Sequence, residues 1–481
     1  MTFLLSIDAG TSGVRAAVFD ERGAFVPGAQ AQNQRVFTTV SDFAELDADQ
    51  IVADVIQTLD DLLANFTAPI ELIAISAFWH SLIGIDDAGL PTTPLLTWAD
   101  TRAAQFAKSL RANFDEREIH ARTGCRFHPS YWPAKLEWLK REHAEKFLRT
   151  GCWLGFAGYL CLRLFGEVAT SVSMASATGL FNQRTGDWDT DFVNALGISL
   201  ETLPRIEPRI GSRLSETFAS RWPALAEAQL VTIVGDGAAN NIGAGCSTKD
   251  RIALMVGTSG AMRVVFAGEP ARELAPALWS YRVTPGRVVV GGALSDGGGL
   301  LQWMAESLKL DREVLLSEVA ALEPDAHGLT VLPFWSGERS TGWSSDARGG
   351  IFGLRQKTTP VEIFSATLEA IAYRFALIAR ALENIAPNAT IVASGNALRS
   401  SPVWLQIIAD VLGRPLLFGG TAEASIRGAA LLALEAVGKI GSIEEDSIAI
   451  EQVFEPDLRR HDRYHEGLAR QEELYNRLYG G

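Results

Sequence analysis

Two aspartates stand among glycines and hydroxyls. Asp236 lies in Val231-Thr232-Ile233-Val234-Gly235-Asp236-Gly237-Ala238-Ala239-Asn240-Asn241, a strand-like run that delivers an acid between two glycines and then opens a helix of small residues. The flanking glycines would let a substrate come close, and an ionised carboxylate there can accept a proton from a hydroxyl as it becomes acidic in a transition state. Gly-Asp-Gly is also a plain turn signal. Asp8 belongs to Ile7-Asp8-Ala9-Gly10-Thr11-Ser12-Gly13. A glycine-rich turn between strands leaves backbone N–H groups free, and the Thr and Ser hydroxyls add donors for phosphate oxygens.

That loop is used twice. Met255-Val256-Gly257-Thr258-Ser259-Gly260 repeats it, and Gly10/Gly257, Thr11/Thr258, Ser12/Ser259, Gly13/Gly260, Val18/Val265 and Phe19/Phe266 share one offset, about half the chain. Either copy alone reads as hairpin chemistry. Two copies in register read as a duplicated nucleotide-binding fold with a phosphate loop from each half. The position equivalent to Asp8 is Met255, so only the first loop can hold Mg²⁺ or its waters. Arg15, Gly298 and Gln302 beside a Gly291–Gly299 run, and Gly395-Asn396 at a strand end, complete the candidate ATP site.

Candidate substrate contacts come from the first half. The buried-looking strand Ile70–Ser76 ends in Phe78-Trp79-His80-Ser81, and ligands of open α/β sheets gather beyond the carboxyl ends of strands. A buried histidine with a backbone partner is the equal alternative for His80. In Thr97-Trp98-Ala99-Asp100-Thr101-Arg102 the indole of Trp98 can stack on a sugar while Asp100 and Arg102 fix polar groups, although Asp and Thr also cap helices. Gly124–Trp138 adds Arg126, His128, Tyr131, Trp132 and Lys135. If the ligand carries a carboxylate, Arg102, Arg126, His128 and Lys135 are the candidate cations.

Strands are expected over Phe3–Ile7, Ala16–Asp20, Gly28–Val40 and Ile70–Ser76, and helices over Leu46–Asn65, Val361–Leu382 and Asp462–Leu478. Ser171–Asp189 reads as strand and turn. No low-complexity linker divides the chain, and the repeat restarts near Gly245, giving lobes 1–244 and 245–481.

The 481 residues exceed one compact core, and 47% hydrophobic and 21% charged residues with 44 glycines describe a globular α/β protein with many tight turns. A net charge of −14 argues against nucleic acid and against an anionic membrane surface as partners. Cys125, Cys152, Cys161 and Cys246 show neither CxxC nor zinc spacing, so reduced thiols in the cytoplasm are expected. The N-terminus lacks a basic n-region and runs straight into the acidic loop, as a first strand and not a signal peptide does. A homodimer is compatible with all of this.

With these features in place, the chain resembles the FGGY family of carbohydrate kinases. Gly349-Gly350-Ile351-Phe352-Gly353-Leu354, followed by Glu362-Ile363-Phe364-Ser365-Ala366-Thr367-Leu368-Glu369, meets one family signature. Lys135-Leu136-Glu137-Trp138-Leu139 meets the other, which departs at Trp132, where Pro, Ser or Thr is usual. The resemblance implies a duplicated ribonuclease H-like, actin-like fold with ATP and Mg²⁺ in the interlobe cleft and a small carbohydrate held by the first lobe. It assigns Asp236 as the base, Asp8 and Asp236 to the metal, the two loops to phosphates and Gly395-Asn396 to the adenine side. Phe78-Trp79-His80-Ser81, Trp98-Ala99-Asp100 and Phe127-His128-Pro129 look more like gluconate kinases than xylulose kinases, which usually carry Met-His-Gly at the first place. An actin- or chaperone-like ATPase and a catalytically silent sugar sensor are the rival classes. The first leaves Asp236 and the Trp79, His80, Trp98 group unexplained. Retention of both aspartates argues against the second.

Overall fold

The computed structural model describes residues 2–36, 43–207, 211–420 and 423–480. In the first sheet the strands stand in the order Phe25–Gln34, Gly13–Asp20, Phe3–Gly10, Leu72–Ala77, Gln229–Gly235. Five strands of the second repeat that scheme as Arg287–Leu294, Gly260–Ala267, Arg251–Val256, Thr390–Ser394, Leu416–Gly419, and Trp279–Thr284 and Ile450–Phe454 extend its two edges. In each, the first three strands of the scheme form an antiparallel meander, and the other two run parallel to the first. This is the duplicated ribonuclease H-like, actin-like architecture.

The central strands explain themselves by burial. Leu72–Ala77 is buried at every residue, as a parallel strand covered on both faces must be. Both Gly-Thr-Ser-Gly loops are hairpin tips, and a Cβ on Gly13 would lie 2.5 Å from the Asn33 carbonyl. The first long helix runs Ala48–Leu63, where Asp47 accepts from the N–H groups of Asp49 and Gln50, and it buries Ile51, Val55, Leu59 and Leu62. The strand expected over Gly28–Val40 is Phe25–Gln34, and residues 37–42 lie outside the described ones. Ser171–Asp189 contains a short helix, Val172–Ser176, before its hairpin, because Ser171 caps the Met174 N–H.

The fifth strand of each scheme feeds a helix, and the two helices, Asp236–Gly243 and Ala424–Ala436, cross each other. A Cβ on Gly243 would lie 1.8 Å from the Ala424 carbonyl, and one on Gly428 equally close to that of Ala239. The Ala424–Ala436 helix buries Ile426 and Ala429 to Leu434 in the core of the first sheet, where the Ser6 hydroxyl donates to the Ile426 carbonyl at 2.7 Å. In return the Asn241 amide donates to the Arg263 carbonyl of the second sheet.

Residues 78–228 form a helical insertion beyond the carboxyl end of the first sheet. The second lobe is backed by Pro360–Leu382, opened by a Thr359/Glu362 capping box, and by Leu458–Tyr479. Asp325, His327 and Glu369 lie within 4.8 Å of one another under that last helix. The His327 ring is fully used there: Nδ1 accepts from the Leu329 N–H and Nε2 donates to Glu369, while Arg470 pairs with Asp325. The cluster therefore clips the C-terminal helix to the lobe. Among the described residues no helix is long and apolar enough to cross a membrane.

Candidate active site in the interlobe cleft

A cleft of about 810 Å³ opens between the sheets, lined by Thr11, Ser12, Trp79, His80, Trp98, His128, Tyr131, Asp236, Gly257 to Gly260, Arg263, Trp279, Tyr281, Arg339 and Trp343 among others. Both Gly-Thr-Ser-Gly loops thus meet Asp236 and the aromatic residues of the insertion in one cavity. Asp236 is the first residue of its helix, and its Oδ1 accepts from the Gly237 N–H at 2.7 Å. Burial raises its pKa, opposed by the neighbouring charge of Arg263. Burial also holds Asp8 at about 6, against the hydrogen bond at 2.7 Å from the Ser76 hydroxyl. The charge of Asp236 adds to the rise at Asp8, as a neighbouring acid does.

The glycines beside Asp236 also answer a packing demand, and Gly237 itself lines the cleft. A Cβ on Gly235 would lie 1.8 Å from the Trp79 indole, and one on Gly237 would lie 2.6 Å from it. They make room for Trp79, which packs edge-on to Tyr281 and donates to the Ser173 carbonyl. His80 follows in the left-handed region at φ 65°, a strained conformation for a non-glycine residue. Its Nδ1–H donates to the Ala177 carbonyl, leaving Nε2 as an acceptor, and burial depresses its pKa to about 3, so the ring is neutral. His128 has both nitrogens engaged: Nδ1 accepts from Ser130, and Nε2 donates to the Glu338 carbonyl of the opposite lobe. It fastens the lobes together.

The other three candidate cations are, like His128, consumed within the protein. Arg102 pairs with Asp100 and Glu45, and Asp100 also accepts from the Ala44 N–H, so this pair stands behind the Trp98 wall and does not line the cleft. Lys135 is buried and donates to the His80 and Thr97 carbonyls. Arg126 pairs with Glu116 and donates to the Pro276 carbonyl. Arg15 bridges Asp8 and Glu423. The N–H groups of Gly297, Gly298 and Gly299 donate to the Thr258 and Gly257 carbonyls, so this turn braces the second loop from behind. Gln302 is exposed and donates to Glu306. Gly395, at φ 107°, and Asn396 follow the strand Thr390–Ser394, which pairs with Arg251–Val256, and neither lines the cleft wall.

Sequence reasoning missed the contribution of the second lobe to the substrate side. Trp279 and Tyr281 stack at 4.4 Å, and the Tyr281 hydroxyl meets that of Tyr131 at 2.6 Å. Their alternation on one strand was the available signal. Arg339 lies in the irregular Leu332–Arg339 loop, which offered no periodicity to read.

Two phosphate-suited loops facing one another across a cleft, with a buried carboxylate between them and a polar aromatic pocket, define a two-lobed phosphotransferase of the actin-like fold. Residues 3–243 match the N-terminal domain and residues 252–437 the C-terminal domain of the FGGY family of carbohydrate kinases. The chain belongs to that family, and is a carbohydrate kinase acting on a sugar hydroxyl and ATP. It is 30% identical over 470 residues to a gluconokinase of Bacillus subtilis (strain 168), covering 94% of this chain and 91% of the relative. Among solved structures, a gluconate kinase from Lactobacillus acidophilus superposes with TM-score 0.90 at 26% identity, covering 99% of this chain and 98% of that one. A xylulose kinase from the same organism superposes with TM-score 0.89 at 26% identity over the same shares.

Proposed function

We propose that the chain is a gluconate kinase, transferring the γ-phosphoryl group of ATP to one hydroxyl of gluconate, with Asp236 as general base. The observation that carries the mechanism is the position of Asp236 on the wall shared by both phosphate loops and the aromatic pocket. Its carboxylate accepts the hydroxyl proton while the hydroxyl oxygen bonds to the γ-phosphorus and the bond to the bridging oxygen of ADP breaks. Gly10 to Gly13 and Gly257 to Gly260 take the phosphates, Gly395 and Asn396 flank the adenine, and the lobes divide at 244/245. Trp79 and Trp98 give stacking surfaces, and the neutral His80 gives an acceptor to a substrate hydroxyl. The hard oxygens of Asp8 and Asp236 suit Mg²⁺, which would supply charge neutralisation at the β- and γ-phosphates. Likeness to the Bacillus subtilis gluconokinase and to the Lactobacillus acidophilus gluconate kinase supports gluconate.

The test is ADP release with Mg-ATP across gluconate, xylulose, ribulose, fuculose, rhamnulose, glycerol and erythritol, confirmed by product mass. Preference for gluconate is expected, and preference for a neutral ketose would overturn the substrate while keeping the mechanism. Asp236→Asn should lower turnover by roughly 10² to 10⁴, the usual size of a lost general base; near-normal turnover would remove Asp236 from that role.

A further inference from the structure

Among the described residues, five cation-capable side chains line the cleft: His80, His128, Arg263, Arg339 and Arg348. His80 is neutral, and His128 has both nitrogens engaged. Arg263 donates to the Gly237 carbonyl and Asn241 and stands beside Asp236 as its counter-charge. Arg348 is exposed and turns back to the Ser345 and Ala347 carbonyls. Arg339 differs from all four. Its Nη2 donates to the Leu294 carbonyl at 3.1 Å, its buried Nε has no hydrogen-bond partner, and among the described residues no carboxylate forms an ion pair with it. Its guanidinium carbon lies 4.8 Å from the centroid of the Trp98 ring, which fixes the plane of the fork.

Burial disfavours the Arg339 charge, and Asp236 and Asp296 offset this only from beyond ion-pair distance, so a carboxylate arriving in contact would offset the remaining desolvation cost. Its fork matches a carboxylate in two parallel hydrogen bonds. We infer that Arg339 anchors the carboxylate of a sugar acid, a subsite on the second-lobe wall opposite Trp98 that sets acid over neutral substrates. This rests on the reading of the chain as a gluconate kinase. The acid end of the substrate is then held by the second lobe while Asp236 receives the proton of the reacting hydroxyl, so a substrate bridging both is positioned only when the lobes are together. A neutral ketose lacks that second point of attachment.

The experiment compares gluconate with gluconamide, its uncharged isostere, in the wild type, Arg339→Gln and Arg339→Lys, with thermal melts to verify folding. The wild type should show a KM for gluconate about 10²-fold below that for gluconamide, the scale of a charge-assisted bidentate pair in a desolvated site. Arg339→Gln should bring the ratio to about 1, and Arg339→Lys should restore part of it, since an ammonium keeps the charge without the fork. An unchanged ratio in Arg339→Gln, or a wild type blind to the charge, overturns the inference. A fall in kcat equal for both substrates also overturns it, making Arg339 a group acting on the transferred phosphoryl. A wild type that phosphorylates no sugar acid fails the gluconate reading itself, whereas active wild type with a charge-blind Arg339 fails only the anchor.

Discussion

At the scale of single residues, the pH dependence of the reaction follows from the environment of Asp236. Burial raises its pKa and the charge of Arg263 opposes that rise. A base works only when ionised, so kcat/KM should fall as pH drops through this pKa, and the acid limb should lie above the ordinary aspartate value of about 3.9. Arg263→Gln removes the opposing charge and should move the limb to higher pH. A limb that stays in place, measured as kcat/KM against pH for both proteins, would separate Arg263 from the base. Asp236 drew notice in the sequence as an acid between two glycines at a strand end, a pattern that is also a plain turn signal, and the fold places it in one cleft with residues of both loops. The packing demand on the glycines beside Asp236 was not readable, since their partner Trp79 sits more than 150 residues earlier and only the fold brings it there. Arg102, Arg126 and Lys135 looked free because a sequence shows charges without their partners.

At the scale of elements, the crossing of Asp236–Gly243 with Ala424–Ala436 carries the connection between lobes. Two backbones touch there without side chains between them, so Gly428→Val must push the Ala239 carbonyl away and separate the helices. Overpacking of this kind costs about 1–3 kcal/mol, and more where the obstacle is backbone. A lowered unfolding midpoint is expected, together with reduced turnover, because the helix being displaced begins at Asp236. Gly286→Ala, with open space around its Cβ and no positive φ, should stay within about 0.5 kcal/mol of wild type in the same denaturation series. The strands and long helices were readable from hydrophobic periodicity, and the repeated loop fixed the duplication. The exchange of helices between lobes was not readable, because small residues announce a close contact without naming the partner.

At the scale of the molecule, the cleft is closed on its substrate side by contacts that cross it. His128 donates to the Glu338 carbonyl, His120 to that of Leu278, and Arg111 to those of Phe127 in its own lobe and Trp343 in the other. Lys108 and Asp346 pair at the rim, where the charges are exposed and worth little. These contacts place the Leu332–Arg348 segment over the insertion, and water excluded there cannot compete with the sugar hydroxyl for the phosphoryl group. The duplication and the interlobe cleft were legible from two loops in register, whereas the cover was not, since it is assembled from backbone carbonyls that no residue type reveals. Arg111 does not itself line the cleft and meets its wall through the Trp343 carbonyl, so Arg111→Ala should loosen closure while leaving Asp236 and both loops in place. The KM for the carbohydrate should rise about 10-fold, the scale of one lost charge-assisted hydrogen bond, and ADP released without sugar should rise relative to phosphorylated product. Coupling is read by comparing ADP formed with product mass in the same reaction. If the ratio holds at the wild-type value while KM rises, Arg111 contributes to binding alone and the exclusion of water rests on the remaining interlobe contacts.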